Sequence, residues 1–443
     1  MPIKNTAVYN LGEEGVNTDA GDTHIRDGEL RSAQNVQNDI IAGGMGGIRR
    51  RDGLTLFNAS PMAGAVTGIV AIPLPDRSQL SKYFYAAGEG ASSTVRWRKS
   101  SDAGANWADS TDGEIPASTA DLGAAGTAFN FSGALRWQGF NNRLWYPASD
   151  YTLGTTRPTI HVWNGTLDFK FSEIPNNPSS NAIPRGVTSI VPYSPTQMLV
   201  GTSDDEGTTG RGRVLLMNIT TGQFIELGPD TDLNGGIPFN FCVFDGRIWA
   251  GFVNLAGGSS TTVRWVRPGD TVWTTDTTLT LPATLGYVVD IIPFKGKLYI
   301  ATAIDVGDQP EIRERDQEGT WTIRHTGTGG ADALDYMGPF VVTKDGSTIL
   351  AGEMCADGPQ RILESTDGVT WSQVYDIRAN LGAAYTNYGM PIVDRDDGSI
   401  FWPIMTAGAS DVILKRTTGG TWSISHTSAM AKDLRGPLAI IKF

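Results

Sequence analysis

Several short stretches of this chain carry residue types suited to chemistry, and their spacing decides what each can do. Asp394-Arg395-Asp396-Asp397-Gly398 sets three carboxylates beside a glycine, like the opening of a calcium loop. The distal Glu of an EF-hand is missing, and the same place in other repeats reads Lys344-Asp345-Gly346-Ser347, Asp245-Gly246-Arg247, Lys295-Gly296-Lys297 and Asn141-Asn142-Arg143. Those are hairpin turns, where Asp, Asn and Gly accept left-handed backbone, so a turn is expected there. Ser203-Asp204-Asp205-Glu206 is read as a solvated acidic loop. Gly43-Gly44-Met45-Gly46-Gly47 precedes a strand and has no Lys at P-loop spacing. Arg49-Arg50-Arg51 is the densest basic stretch, but it falls in a hairpin and reads as solvated strand and turn. Cys242 and Cys355 fall about two repeats apart, so no disulfide is expected. None of the four histidines lies at metal-ligand spacing from another. The expectation is therefore no metal and no cofactor.

The elements that must hold these residues repeat. At intervals of roughly fifty residues a short apolar strand leads through a Gly- or Asp-containing turn to an aromatic or Leu residue. The clearest copy is Ser100-x-Asp102-x-Gly104-x-x-Trp107, and a copy one residue shorter is Ser365-x-Asp367-Gly368-x-x-Trp371. Degraded copies end at Phe169, Phe224, Trp273, Trp321 and Trp422, and a weaker early one spans 48–57. Each unit adds an apolar run such as GVTSIVPY, IPFNFCVF or YVVDIIPF, then, after a tight turn, an alternating strand such as GRIWAGF, GKLYIAT or NRLWYPA. Large apolar residues alternating with small or polar ones describe a half-buried strand. Four strands per unit, a to d from the inside outward, predict an all-β chain folded as a single β-propeller. Alternation also predicts that most of Trp97, Trp137, Trp145, Trp249, Trp265 and Trp402 are buried between blades.

Residues 68–435 supply seven such sets, while GPLAIIKF (436–443) looks like an extra strand a and 48–57 like a hairpin lacking one. The two complete each other in a predicted eight-bladed ring, with 30–36 as strand b of the closing blade. The alternative is seven blades, with both segments merely adding strands. The predicted division is an extended N-terminal arm over 1–29 and a propeller over 30–443, closed by 30–58 together with 436–443. Pairing of the two termini removes the open sheet edges that invite aggregation.

In the boxed hairpins the Ser and Asp side chains can bond turn amides while the Trp packs back between sheets. The pattern resembles the Asp-box of sialidases and related propellers, where the box lies on the outer rim. That resemblance makes Ser100, Asp102, Gly104, Trp107, Ser365, Asp367, Gly368 and Trp371 structural markers with no part in catalysis. A sialidase-like glycosidase would also need an arginine cluster and a Tyr/Glu pair at the centre. Arg136, Arg185, Tyr287 and Glu353 lie near inner strands or strand ends but form no motif. The chain is expected not to be an enzyme, with no catalytic residues.

The formal net charge is −12, against a role in coating DNA or a membrane surface, which needs clustered Lys and Arg. No apolar run reaches the roughly 20 residues of a membrane helix, so no membrane insertion is expected. The first residues show no apolar signal core, which implies synthesis in a cytoplasm and no secretory route. The N-terminal segment carries, in order, Gly15-Val16-Asn17, Asp27-Gly28-Glu29-Leu30, Gln34-Asn35-Val36, a Gly-rich turn and Arg51-Asp52-Gly53. This series resembles the opening of tail-associated propeller proteins of tailed bacteriophages, of the nozzle and packaged-DNA-stabilising type. The resemblance implies a structural virion protein of the tail or head-to-tail connector, made in the host cytoplasm. It further implies a homo-oligomeric ring, contacts with portal, adaptor or other tail proteins, and DNA as passing cargo. The sparse apolar residues Tyr9, Leu11, Val16, Ile25 and Leu30 cannot build their own core, which makes them the expected assembly contacts. The other readings are a carbohydrate- or receptor-binding propeller at the tail tip and, behind it, the glycosidase.

Overall fold

The computed structural model describes most of residues 157–427, parts of 82–109 and 138–148, the strand at 438–442, and four short strands before residue 51. The chain divides into two compact units, 1–81 and 82–443. The second is a β-propeller. Among its described residues, seven antiparallel sheets of four strands follow one another, counting the broken inner strand of the last as one. Sheets five and six are joined through the pair Ala303 and Tyr336. Their inner strands include Gln138–Phe140, Gly186–Ser194, Ile237–Phe244, Tyr287–Phe294, Tyr336–Val342 and Ile392–Val393, each touching the next, and Leu438–Lys442 meets both Gln138–Phe140 and Ile392–Val393.

The closing sheet differs from the eight-blade expectation. Leu438–Lys442 pairs with Lys82–Glu89, which pairs with Val95–Ser100 and then Ala108–Asp109. The C-terminal strand therefore supplies the inner strand of the first sheet, and none of the described strands of 30–58 belongs to that sheet. Val36–Asp39 forms a separate hairpin with Gly47–Arg50, while Gly15–Val16 pairs in parallel with Glu29–Leu30. The physical reason is local: a two-stranded hairpin satisfies its own hydrogen bonds, whereas Lys82–Glu89 had a vacant inner edge that an apolar strand could fill.

Packing between sheets follows from one small residue near the end of each strand b. Gly201, Gly251 and Gly352 occupy equivalent places in QMLVGTS, RIWAGFV and STILAGE. A Cβ on each would come within 2.7 Å of Phe241, 2.7 Å of Val288 and 2.6 Å of Tyr388, all on the inner strand of the next sheet. Ala301, Pro147 and Pro403 fill the same place elsewhere. The next sheet can thus approach closely, and large residues close the gap on either side. Trp145, Trp249 and Trp402 are fully buried, as alternation predicts, whereas Trp265 is half-buried with Arg247 4.3 Å over its ring. The Trp97 and Trp137 side chains lie outside the described residues.

Polar seams reinforce this packing at a spacing close to the repeat. Thr188 Oγ1 donates to the Pro238 carbonyl at 2.5 Å, Asn240 Nδ2 to the Val289 carbonyl at 2.7 Å, and the Phe340 amide to Asp290 Oδ2 at 2.8 Å. All of these sit at β-bulges in the inner strands, where the ladder skips a residue and a side chain or amide turns toward the next sheet.

Candidate functional site

Comparing the repeats with one another isolates one place. The residue after the small one in strand b is Thr202, Phe252, Thr302, Glu353 or Ile404 in successive sheets. Glu353 alone of these is ionisable, and it is completely buried. It lies near the end of strand Ile349–Met354, and Arg361 lies near the start of the paired strand Gln360–Ser365. His325 comes from the end of Trp321–Thr326, the outer strand of the preceding sheet. All three are therefore at the same end of the propeller.

The donors around Glu353 come from two sheets. Arg361 Nε donates to Oε2 at 2.6 Å, the Thr328 amide donates to Oε1 at 3.1 Å, and His325 Nε2 stands 3.5 Å from Oε2, at the long edge of an ionic contact. Burial pushes this carboxyl's pKa up, but His325, Arg361 and the Thr328 amide outweigh it and hold the pKa below the ordinary value. A third sheet joins through Tyr388, whose hydroxyl donates to the main-chain carbonyls of Glu353 at 2.8 Å and Arg361 at 3.2 Å. The Tyr388 amide in turn donates to Tyr336 Oη at 2.7 Å. Nearby Cys355 is buried, and burial together with Asp335 and Glu353 pushes its thiol up to about 12, so it stays protonated and is a poor nucleophile. Chemically, Glu353 is an ionised anchor with both oxygens engaged. It orients Arg361 and His325, whose side chains are 23% and 19% exposed.

Of the residues singled out from sequence, Glu353 and Cys355 fall here, and the other described ones fall elsewhere. Asp394–Gly398 is a turn: Asp394 Oδ1 accepts from the Asp396 amide, and the Gly398 amide donates to the Asp394 carbonyl. Among the described residues no three His, Cys, Asp or Glu side chains gather as metal ligands. In one Asp-box, Asp367 Oδ1 accepts from the amides of Val369 and Thr370 and from Ser365 Oγ, while Gly368 takes φ +75° and donates its amide to Ser365 Oγ. The Thr370 and Val369 amides hold the Asp367 carboxyl down at about 2. Trp371 packs against Phe340 with ring centroids 6.4 Å apart. In the other box Asp102 accepts from the Asn106 amide at 2.8 Å, and Ser100 ends a strand; Gly104 and Trp107 lie outside the described residues. So do Tyr9, Leu11, Ile25, Arg136, Arg185 and the Tyr287 side chain, while Val16 and Leu30 are direct partners in one parallel pair.

No family model and no curated protein matches this chain. Solved structures do. The periplasmic gluconolactonase of Pseudomonas aeruginosa overlays 82% of this chain and 99% of its own, with a TM-score of 0.52 at 10% identity. A putative 6-phosphogluconolactonase from Bacteroides uniformis overlays 82% of this chain and 100% of its own, at TM-score 0.49 and 11% identity. YCF48 bound to a D1 peptide overlays 75% and 87%, at TM-score 0.43 and 14% identity. At these identities the likeness is one of fold, the β-propeller. It nonetheless overturns the expectation of a non-enzymatic chain, because the gluconolactonase shows an enzyme built on this architecture. The lack of a recognisable catalytic motif is no argument against catalysis in such a ring.

Proposed function

We propose that this chain is a structural protein of a tailed-bacteriophage virion, part of the tail or of the head-to-tail connector. In this reading copies form a nozzle-like ring around the DNA channel and meet portal, adaptor or other tail proteins. The carrying observation is the ordered series Gly15-Val16-Asn17, Asp27-Gly28-Glu29-Leu30 and Gln34-Asn35-Val36, ahead of the propeller. Two features of the fold support it. The series lies in a compact unit separate from the ring, and two of its motifs are paired, Gly15 with Glu29 and Val16 with Leu30. A segment with few apolar residues gains its stability by adding to a partner, as an assembly arm does.

The test is electron microscopy and protein mass spectrometry of particles purified from cells that make the full chain or a form lacking residues 2–25. The expected result is the full chain in a symmetric ring on the tail axis, and the shortened chain folded but absent from particles. Normal incorporation of the shortened chain, or absence of the full chain from particles, would sink the proposal.

A further inference from the structure

We propose that Arg361 and His325 form a binding site for the oxyanion group, carboxylate or phosphate, of a small ligand, with Glu353 as the positioning residue beneath them. The inference is independent of the virion reading and rests on the propeller alone. Among the described residues Arg361 bonds through Nε alone, on Glu353 Oε2. Its terminal nitrogens have no bonding partner among the described residues, and the side chain is 23% exposed. The nearest acid across the strand, Asp376, does not take them: its Oδ1 caps the helix Ile377–Leu381 through the Ala379 amide, and its Oδ2 meets Gln373. A guanidinium fixed along one edge by a buried carboxylate presents its other edge as two parallel donors, the geometry that suits a carboxylate or phosphate. His325 Nε2 stands 3.5 Å from the same Glu353 oxygen, so both side chains converge on one carboxylate.

Charge makes the site specific. The chain carries a net −12 and offers no general attraction to anions, so one that binds must be held locally. Glu353 cancels Arg361, and the ligand's charge is met through directed N–H bonds and His325. The departure from the repeat supports the same conclusion. At this place Thr202 Oγ1 accepts from the Arg213 amide and Thr302 Oγ1 from the Glu311 amide, main-chain bonds to the neighbouring strand where Glu353 instead meets a guanidinium.

The experiment titrates the full-length chain with glucuronate, with inorganic phosphate and with glucose, at ionic strength held constant with chloride, following Tm and binding heat. Saturable binding of either oxyanion and none of glucose is expected, and the tighter of the two names the ligand class. Arg361→Lys keeps a cation beside Glu353 but loses the paired donors, and should weaken binding about tenfold. His325→Gln leaves the Glu353–Arg361 contact intact and should weaken it about threefold, which keeps the test informative if the lysine variant does not fold. No saturable response in the wild type, or equal responses in the wild type and a folded variant, overturns the proposal.

Discussion

Glu353 shows what a single buried charge does in a repeated fold. Removing one partner of a fully buried pair costs roughly 3–5 kcal/mol, and because Arg361 keeps a solvent-facing edge, Glu353→Gln should cost less, about 2–3 kcal/mol at pH 7 by urea unfolding. A cost below about 0.5 kcal/mol, the level of ordinary surface substitutions, would show that the cluster does not tie these sheets together. The pH dependence follows from the depressed carboxyl. A group whose folded pKa lies below its unfolded value of 4.5 contributes fully above pH 4.5, and that contribution is lost as the pH falls through the folded value. Glu314 belongs to the same class: burial raises it, and Arg324, Lys297 and Tyr299 more than offset that. Wild-type stability should therefore fall below about pH 4.5, with a shallower fall in Glu353→Gln and in Glu314→Gln. Parallel slopes for wild type and both variants would show that these carboxyls are not the source of acid sensitivity.

At the scale of the element, the strand-b glycines carry the packing argument. Gly352→Ala would place a methyl 2.6 Å from the Tyr388 ring and 2.7 Å from the Gly338 carbonyl, between two strands that cannot both move. Overpacking of this kind costs about 1–3 kcal/mol, measurable by chemical denaturation, whereas a cost near zero would mean that the neighbouring sheet shifts freely. This level of structure was open to reading in the sequence: strands such as QMLVGTS and KLYIATA alternate as half-buried strands must, and each is found at or within a residue of its expected bounds. The boxed turns were equally plain, because Asp367 and Gly368 act on their own backbone. The Glu353 site was not legible as a site. Its signal, one acid among Thr, Phe, Thr and Ile at one place in the repeat, was present, but its partners His325 and Arg361 come from different strands, and no local spacing brings them together.

For the whole molecule, the sequence left closure of the ring between two arrangements because both termini offer strand-like segments. Pairing energy is local but ring closure is not. GPLAIIKF fits the vacant inner edge of any four-stranded sheet, so apolar pattern cannot say whether it joins 48–57 or the strand at 82–89. In the fold it joins Lys82–Glu89, with Ile440 opposite Phe84 and Ile441 opposite Tyr83. The consequence is asymmetric between the ends. Deleting 438–443 removes the inner strand of one sheet and breaks the ring between its first and last members, leaving an unpaired apolar edge. Deleting 2–58 removes none of the described strands of the seven sheets. The C-terminal deletion should therefore aggregate or lose cooperative unfolding, while the N-terminal deletion should melt as one sharp transition near the wild-type temperature. An eight-bladed ring closed by 30–58 would suffer equally from both, so comparing the two melting curves decides between the arrangements. A neutral C-terminal deletion would show that closure does not depend on this strand.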